Sequence, residues 1–132
     1  MCLFLKNKPQ ALIADKDIIC YKICEYYTKK AGKVFYTYYY GTFVALGRTY
    51  SSVIEINKDG EYSFEIEKAL HSYCTFESAV IKLDSLVYHR HNSVAIIQCI
   101  IPMGSTYYIG NYDGPNDGYA SNRLTYVELV KS

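Results

Sequence analysis

Residues 75–101, TFESAVIKLDSLVYHRHNSVAIIQCII, hold the two patterns that decide the fold class. Thr75 is a good helix N-cap, and Glu77 sits in the first turn, where its carboxylate suits the positive end of the helix dipole. Phe76, Ala79, Val80, Leu83, Leu86 and Val87 recur at spacings of three and four, which makes one apolar stripe on a helix. Glu77, Ser78, Lys82 and Ser85 fall largely off that stripe, and the helix should end near residues 88–92. Just beyond it, residues 94–101 are apolar apart from Gln98, which reads as a central strand buried on both faces. A one-faced helix beside a two-faced strand predicts an α+β fold. We expect a mainly antiparallel twisted sheet carrying one principal amphipathic helix over residues 75–88, with a small barrel-like or split sheet equally compatible.

Toward the N-terminus, residues 17–27 (DIICYKICEYY) are β-branched and aromatic and form the first firm strand. Their alternation puts Ile18, Cys20, Lys22 and Cys24 on one face and Ile19, Tyr21, Ile23 and Glu25 on the other. Residues 1–8 read as a short edge strand or arm, and 10–15 (QALIAD) as one helical turn. Residues 34–40 (VFYTYYY) follow the basic turn KKAGK as a second strand, and 43–46 and 50–56 are shorter strand candidates. Asp59-Gly60 marks a turn before 61–68 (EYSFEIEK), which reads as a strand or as a loop leading into 69–73. Toward the C-terminus, Pro102-Met103-Gly104 breaks the central strand and 106–110 is a short strand. Residues 111–118 (NYDGPNDG) are a turn-rich loop, and 124–130 the last strand. There is no repeat or linker, so residues 1–132 are read as a single compact domain.

The 14 basic and 13 acidic residues leave a net charge of +1, which argues against a dedicated nucleic-acid binder. Five cysteines, an odd and modest number, with no signal-like apolar run near the N-terminus, predict free thiols in a reducing, cytoplasmic setting. No stretch approaches the ~20 apolar residues of a membrane span, so no membrane partner is expected. The unusual feature is 16 tyrosines with no tryptophan. Tyrosine favours half-buried pleated surfaces and is enriched where proteins meet partners.

No motif of specific chemistry is present, neither a phosphate-binding glycine loop nor a nucleophile elbow nor a zinc helix. His89-Arg90-His91 with His71 has loose metal-ligand spacing, but histidines at a helix C-terminus are favoured by the dipole alone. Cys20 and Cys24 lie about 13 Å apart along one strand face, too far for shared ligation, and read as core thiols. Cys74 precedes a helix N-terminus with His71 three residues upstream, a faint nucleophile pattern. Asp113, Asn116 and Asp117 with Gly114 and Gly118 lack calcium-loop spacing and read as a turn. No metal and no cofactor are expected.

Across most of its length the chain resembles a small uncharacterised protein family of gut Bacteroidota and their tailed, crAss-like phages. The likeness rests on Asp17-Ile18 with Tyr21-Lys22, on Ala69-Leu70-His71-Ser72-Tyr73 with Glu77 and Ala79, and on Cys99-Ile100-Ile101-Pro102-Met103-Gly104, Tyr107-Tyr108, Gly110 and Tyr119-Ala120-Ser121-Asn122. It implies a virion-decoration or accessory protein, located in the host cytoplasm or the virion, and no chemistry. The leading expectation is a non-enzymatic structural or interaction module with a protein partner or self-association. Its contacts would be Tyr36, Tyr38, Tyr39 and Tyr40, then Tyr107, Tyr108, Tyr112 and Tyr119, because four rings in five positions cannot all be buried in one face.

Tyr21, the LHSY turn, the helix after it and Glu128 are loosely similar to the ADP-ribosyltransferase layout. That likeness implies an NAD-handling enzyme in which His71 or Tyr73 holds the ribose and Glu128 orients the reaction, although Tyr21-Lys22 stands where the family carries Arg or His. A third reading is a nucleotide sponge that uses tyrosine stacking with Arg48, Arg90 and Arg123.

Overall fold

In the computed structural model, residues 2–6, 9–38, 40–58, 60, 63–87 and 93–132 are described. The chain runs β1 (Leu3–Lys6), β2 (Leu12–Ile13), β3 (Ile18–Lys29), β4 (Gly32–Thr37), β5 (Phe43–Val44), β6 (Thr49–Ser51), β7 (Glu55–Lys58), β8 (Ser63–Lys68) and β9 (Leu70–Tyr73). Then come α1 (Phe76–Val87), β10 (Val94–Ile101), β11 (Thr106–Gly110), β12 (Gly118–Ser121) and β13 (Arg123–Lys131). The fold is α+β, an antiparallel sheet with one short helix on it. Thr75 caps α1 as its sequence indicates: its Oγ1 accepts from the Ser78 amide at 3.1 Å.

The main sheet has the order β2-β11-β12-β9-β3-β10-β13-β6, and a smaller sheet has the order β1-β8-β7. Phe4 and Asn111 exchange both backbone hydrogen bonds, 2.9 and 2.8 Å, and so tie the small sheet to the main one. β10 pairs with β3 from Val94↔Glu25 to Ile101↔Ile18. Its two faces feed separate cores, which explains its almost wholly apolar sequence. Val94 and Ile96 join Tyr21, Ile23, Tyr38 and Tyr73 beneath Ala79 and Leu83 of α1. Ala95, Ile97, Cys99 and Ile101 join Cys20, Cys24, Phe35, Val44, Leu124 and Tyr126 on the opposite face. That second core is enclosed because the sheet curls. The segment after β5 returns to β13, with the Gly47 amide donating to the Tyr126 carbonyl at 2.6 Å and the Tyr126 amide to the Arg48 carbonyl at 3.1 Å.

Three sequence readings are corrected. Residues 10–15 do not form a helical turn; Leu12 and Ile13 pair with β11, and an amide–carbonyl bond from Ala14 to Ser105 extends the connection. The strand expected over 50–56 divides into β6 and β7, which belong to different sheets. The loop expected up to residue 118 gives way there to β12, which links β11 to β9.

The sheet also forks. β3 meets β9 only at Tyr21↔Tyr73, and from Cys24 onward the same edge of β3 pairs with β4. Lys22 and Ile23 therefore lie where β9 and β4 diverge from β3. Backbone groups facing that gap have no ladder partner and must find another.

Candidate functional site

The fork makes a cleft. Lys22 and Ile23 lie at its base, Thr37, Tyr38 and Tyr40 come from the β4–β5 side, His71, Ser72 and Tyr73 from β9, and Lys82 and Leu86 from α1. Its cavity volume is about 30 Å³. Lys22 extends across the gap and donates to the His71 carbonyl at 2.6 Å, capping an acceptor that the interrupted ladder leaves open. Burial lowers the pKa of Lys22, and the thiols of Cys24, Cys99 and Cys20 oppose the shift. Among the described residues no carboxylate forms an ion pair with it. Ser72 is buried, and its hydroxyl has only the Cys20 thiol beside it. Lys82, at the rim, is 3.6 Å from Asp113.

His71 is buried beside the cleft. Its Nε2 lies 2.8 Å from the Glu67 carbonyl, and its Nδ1 2.9 Å from the Tyr112 hydroxyl. A carbonyl only accepts, so Nε2 carries a hydrogen. The Tyr112 hydroxyl lies 2.5 Å from the Tyr119 carbonyl as well, so its one hydrogen serves either that carbonyl or the accepting Nδ1 of His71 at a time. Burial pushes the His71 pKa down to about 4; the Glu67 hydrogen bond opposes this and the Lys22 charge adds to it.

Of the residues proposed for NAD handling, the fold brings His71 and Tyr73 together and leaves Glu128 apart. Their polar atoms are engaged within the protein, since the Tyr73 hydroxyl donates to Asp113 Oδ2 at 3.1 Å. Glu128 pairs with Gln98, Gln98 with Tyr21, and Tyr21 with Tyr73. The row spans three strand spacings, so Tyr73 and Glu128 are about 14 Å apart along the sheet. For the sponge reading, Arg48 and Arg123 lie outside the fork cleft, with Arg123 donating to the Met103 carbonyl at 3.0 Å. Arg90 falls outside the described residues, as do His89, His91 and Tyr39.

The cysteines are thiols, and burial pushes the pKa of Cys20 and Cys24 up to about 12. Cys74 is pushed up to about 11 by burial, and so is protonated at neutral pH rather than nucleophilic. Asp117 folds its own loop: its carboxylate accepts from the amides of Tyr112, Asp113 and Gly114 at 2.7–3.0 Å. Among the described residues no group of His, Cys, Asp and Glu could hold a metal ion.

The tyrosine surface differs from the expected one. Tyr38, one residue beyond β4, is only 8% exposed and packs under α1. Tyr107 and Tyr119 pack on each other at 5.8 Å and line the second core. Tyr108 packs against the third core, around Leu3 and Ile66. Tyr112 lies between cores, with Tyr73 at 5.2 Å. The four rings of the second patch are therefore each partly buried against a core, with part of their surface accessible. Elsewhere the sheet exposes a strip beyond the reach of α1. Tyr27 on β3, Tyr36 on β4 and Phe43 on β5 stack edge to face at 5.6 and 5.8 Å, and Tyr27 and Phe43 are about half exposed. Lys29 and Lys30 are exposed at one end of the strip, on the β3–β4 turn. At the other end Tyr40, 64% exposed, shares a groove with Glu55, Glu67 and Lys68, where Lys68 lies 3.6 Å from Glu55 and leaves Glu67 as the excess negative charge.

Lys22, Ser72, Tyr27 and Phe43 were not singled out as site residues from sequence. The alternation that sets Lys22 between Cys20 and Cys24 was the available signal, because a lysine on an otherwise apolar face demands an explanation. No helix among the described residues is long and apolar enough to cross a membrane. Comparison with protein-family models, curated proteins and solved structures finds no match for this chain.

Proposed function

We propose that the chain is a non-enzymatic interaction module, of the virion-decoration or accessory kind, and that it pairs with a second copy of itself through the aromatic strip. The observation that carries this reading is the row Tyr27, Tyr36 and Phe43, whose two outer rings are about half exposed with Tyr36 partly buried between them. Aromatic rings held against one another by neighbouring strands are rigid, so little side-chain entropy is lost when they meet a partner. The strip is also polar along its length. Its lysine end and its glutamate end are separated by the six residues of β4, about 20 Å of strand. Two copies related by a two-fold axis with antiparallel strips would set Lys29 and Lys30 of each against Glu67 and the Lys68-paired Glu55 of the other.

Charge exchange tests the pairing. Lys29→Glu with Lys30→Glu is expected to weaken the dimer about tenfold or more at low salt, read by sedimentation equilibrium. Adding Glu55→Lys and Glu67→Lys to the same chain is expected to restore it. Equal weakening by the four-fold variant would exclude the antiparallel arrangement.

A further inference from the structure

The fork cleft is distinct from the strip, and the two share only Tyr40 at the mouth. Two of its groups lack the partners such groups normally have. Lys22 places its amino group in a partly buried gap with one carbonyl as its hydrogen-bond acceptor and no carboxylate paired to it among the described residues. Ser72, 2% exposed, lines the same cavity, and its hydroxyl has only the weakly hydrogen-bonding Cys20 thiol beside it. A buried charge is costly unless paired, and a buried hydroxyl costs about 1–3 kcal/mol when unsatisfied. An anion seated between them would satisfy both.

The remaining wall selects the kind of anion. Ile23 and Leu86 make it largely apolar, with Tyr38 and Tyr73 beside them. The cavity of about 30 Å³ has room for about two waters, and so for a carboxylate head. Lys82 is already shared with Asp113, whose carboxylate at the rim repels a second negative charge there. The head group is thus directed inward to Lys22. We propose that the fork cleft binds the carboxylate end of an apolar acid, with Lys22 as counter-charge, Ser72 as hydrogen-bond donor and the tail running out past Leu86 and Tyr40. An apolar pocket with a few convergent polar groups is the usual form of a small-molecule site. Burial lowers the pKa of Lys22, and a bound carboxylate would oppose that shift by favouring the charged form.

The test is a titration of the purified protein with octanoate, with octanol and inorganic phosphate as controls, followed by calorimetry. Octanoate is expected to bind saturably, and octanol and phosphate much more weakly. Lys22→Met, which keeps the length of the side chain and removes the charge, is expected to weaken octanoate binding about tenfold or more. Ser72→Val, which fills the cavity with methyl groups, should reduce it as well, and serves alone if the lysine variant does not fold. Equal binding of octanol and octanoate would overturn the proposal, as would no saturable octanoate binding, or octanoate affinity unchanged in whichever of the two variants folds. Neither substitution touches Tyr27, Tyr36 or Phe43, so loss of dimerisation and loss of acid binding are separate outcomes.

Discussion

Replacing Gly118 by alanine is expected to cost about 3 kcal/mol of stability, lowering the melting temperature by about 10 °C. Gly118 is buried in β12, directly against the Tyr112 ring. A Cβ built there would overlap Cδ2 and Cε2 of that ring and stand 2.8 Å from Cζ. The ring has little room to yield. It packs against Tyr73 at 5.2 Å and His71 at 5.8 Å, and its hydroxyl donates to the Tyr119 carbonyl or the His71 ring. Moving it opens a void between two cores and breaks the hydrogen bond of its hydroxyl. Overpacking alone costs about 1–3 kcal/mol, and displacing a buried aromatic ring costs more. The check is a double-mutant cycle by urea unfolding: in a Tyr112→Leu background Gly118→Ala should cost far less. An equal cost in both backgrounds would show that the Tyr112 contact is not the reason.

The second large effect concerns acid. The neutral His71 ring in the folded protein titrates at about 4, whereas an unfolded histidine titrates near 6.5. The folded pKa is the lower one, so above pH 6.5 the group costs nothing. As pH falls from 6.5 toward 4 the unfolded chain takes up a proton that the folded chain refuses, and stability is lost. The shift is worth about 3 kcal/mol once pH reaches 4. The cause is first the burial of the ring and then the nearby Lys22 charge, with the Glu67 carbonyl working in the opposite direction. His71→Gln is expected to be less stable at pH 7, because it loses ring contacts and hydrogen bonds, yet to show a shallower fall between pH 6.5 and 4. Carboxylates elsewhere titrate alike in both proteins, so the difference in slope isolates His71. Parallel stability curves for the two proteins would contradict the assignment.

The helix and central strand were legible in sequence because each carries a strong period with clear ends. Thr75 marks the start of α1, and residues 94–101 carry no alternation because both faces of β10 are buried. β12 was not legible. Its sequence GYAS has little intrinsic strand preference, and it is held in the sheet by neighbours on both sides and by a glycine that makes room for Tyr112. The tyrosine run at 36–40 was read as one surface because local spacing cannot say where the helix ends its cover; α1 covers Tyr38 and leaves Tyr36 beside the exposed ring of Phe43. The fork cleft was illegible for a different reason. Lys22 stood out on its strand face, but Ser72 and Lys82 join it only through a break in long-range pairing that no local pattern encodes.

Self-association through the strip is tested most directly by native mass spectrometry of the wild-type chain beside Tyr27→Ser with Phe43→Ser. Both residues are about half exposed, so the fold should survive the change, with circular dichroism as the control. The expected result is a dimer for the wild type and a monomer for the double variant, with dimer affinity reduced about thirtyfold or more, as for loss of a central aromatic contact. A wild-type monomer, or a dimer that persists unchanged in the double variant, would contradict the assignment of the strip as the contact surface.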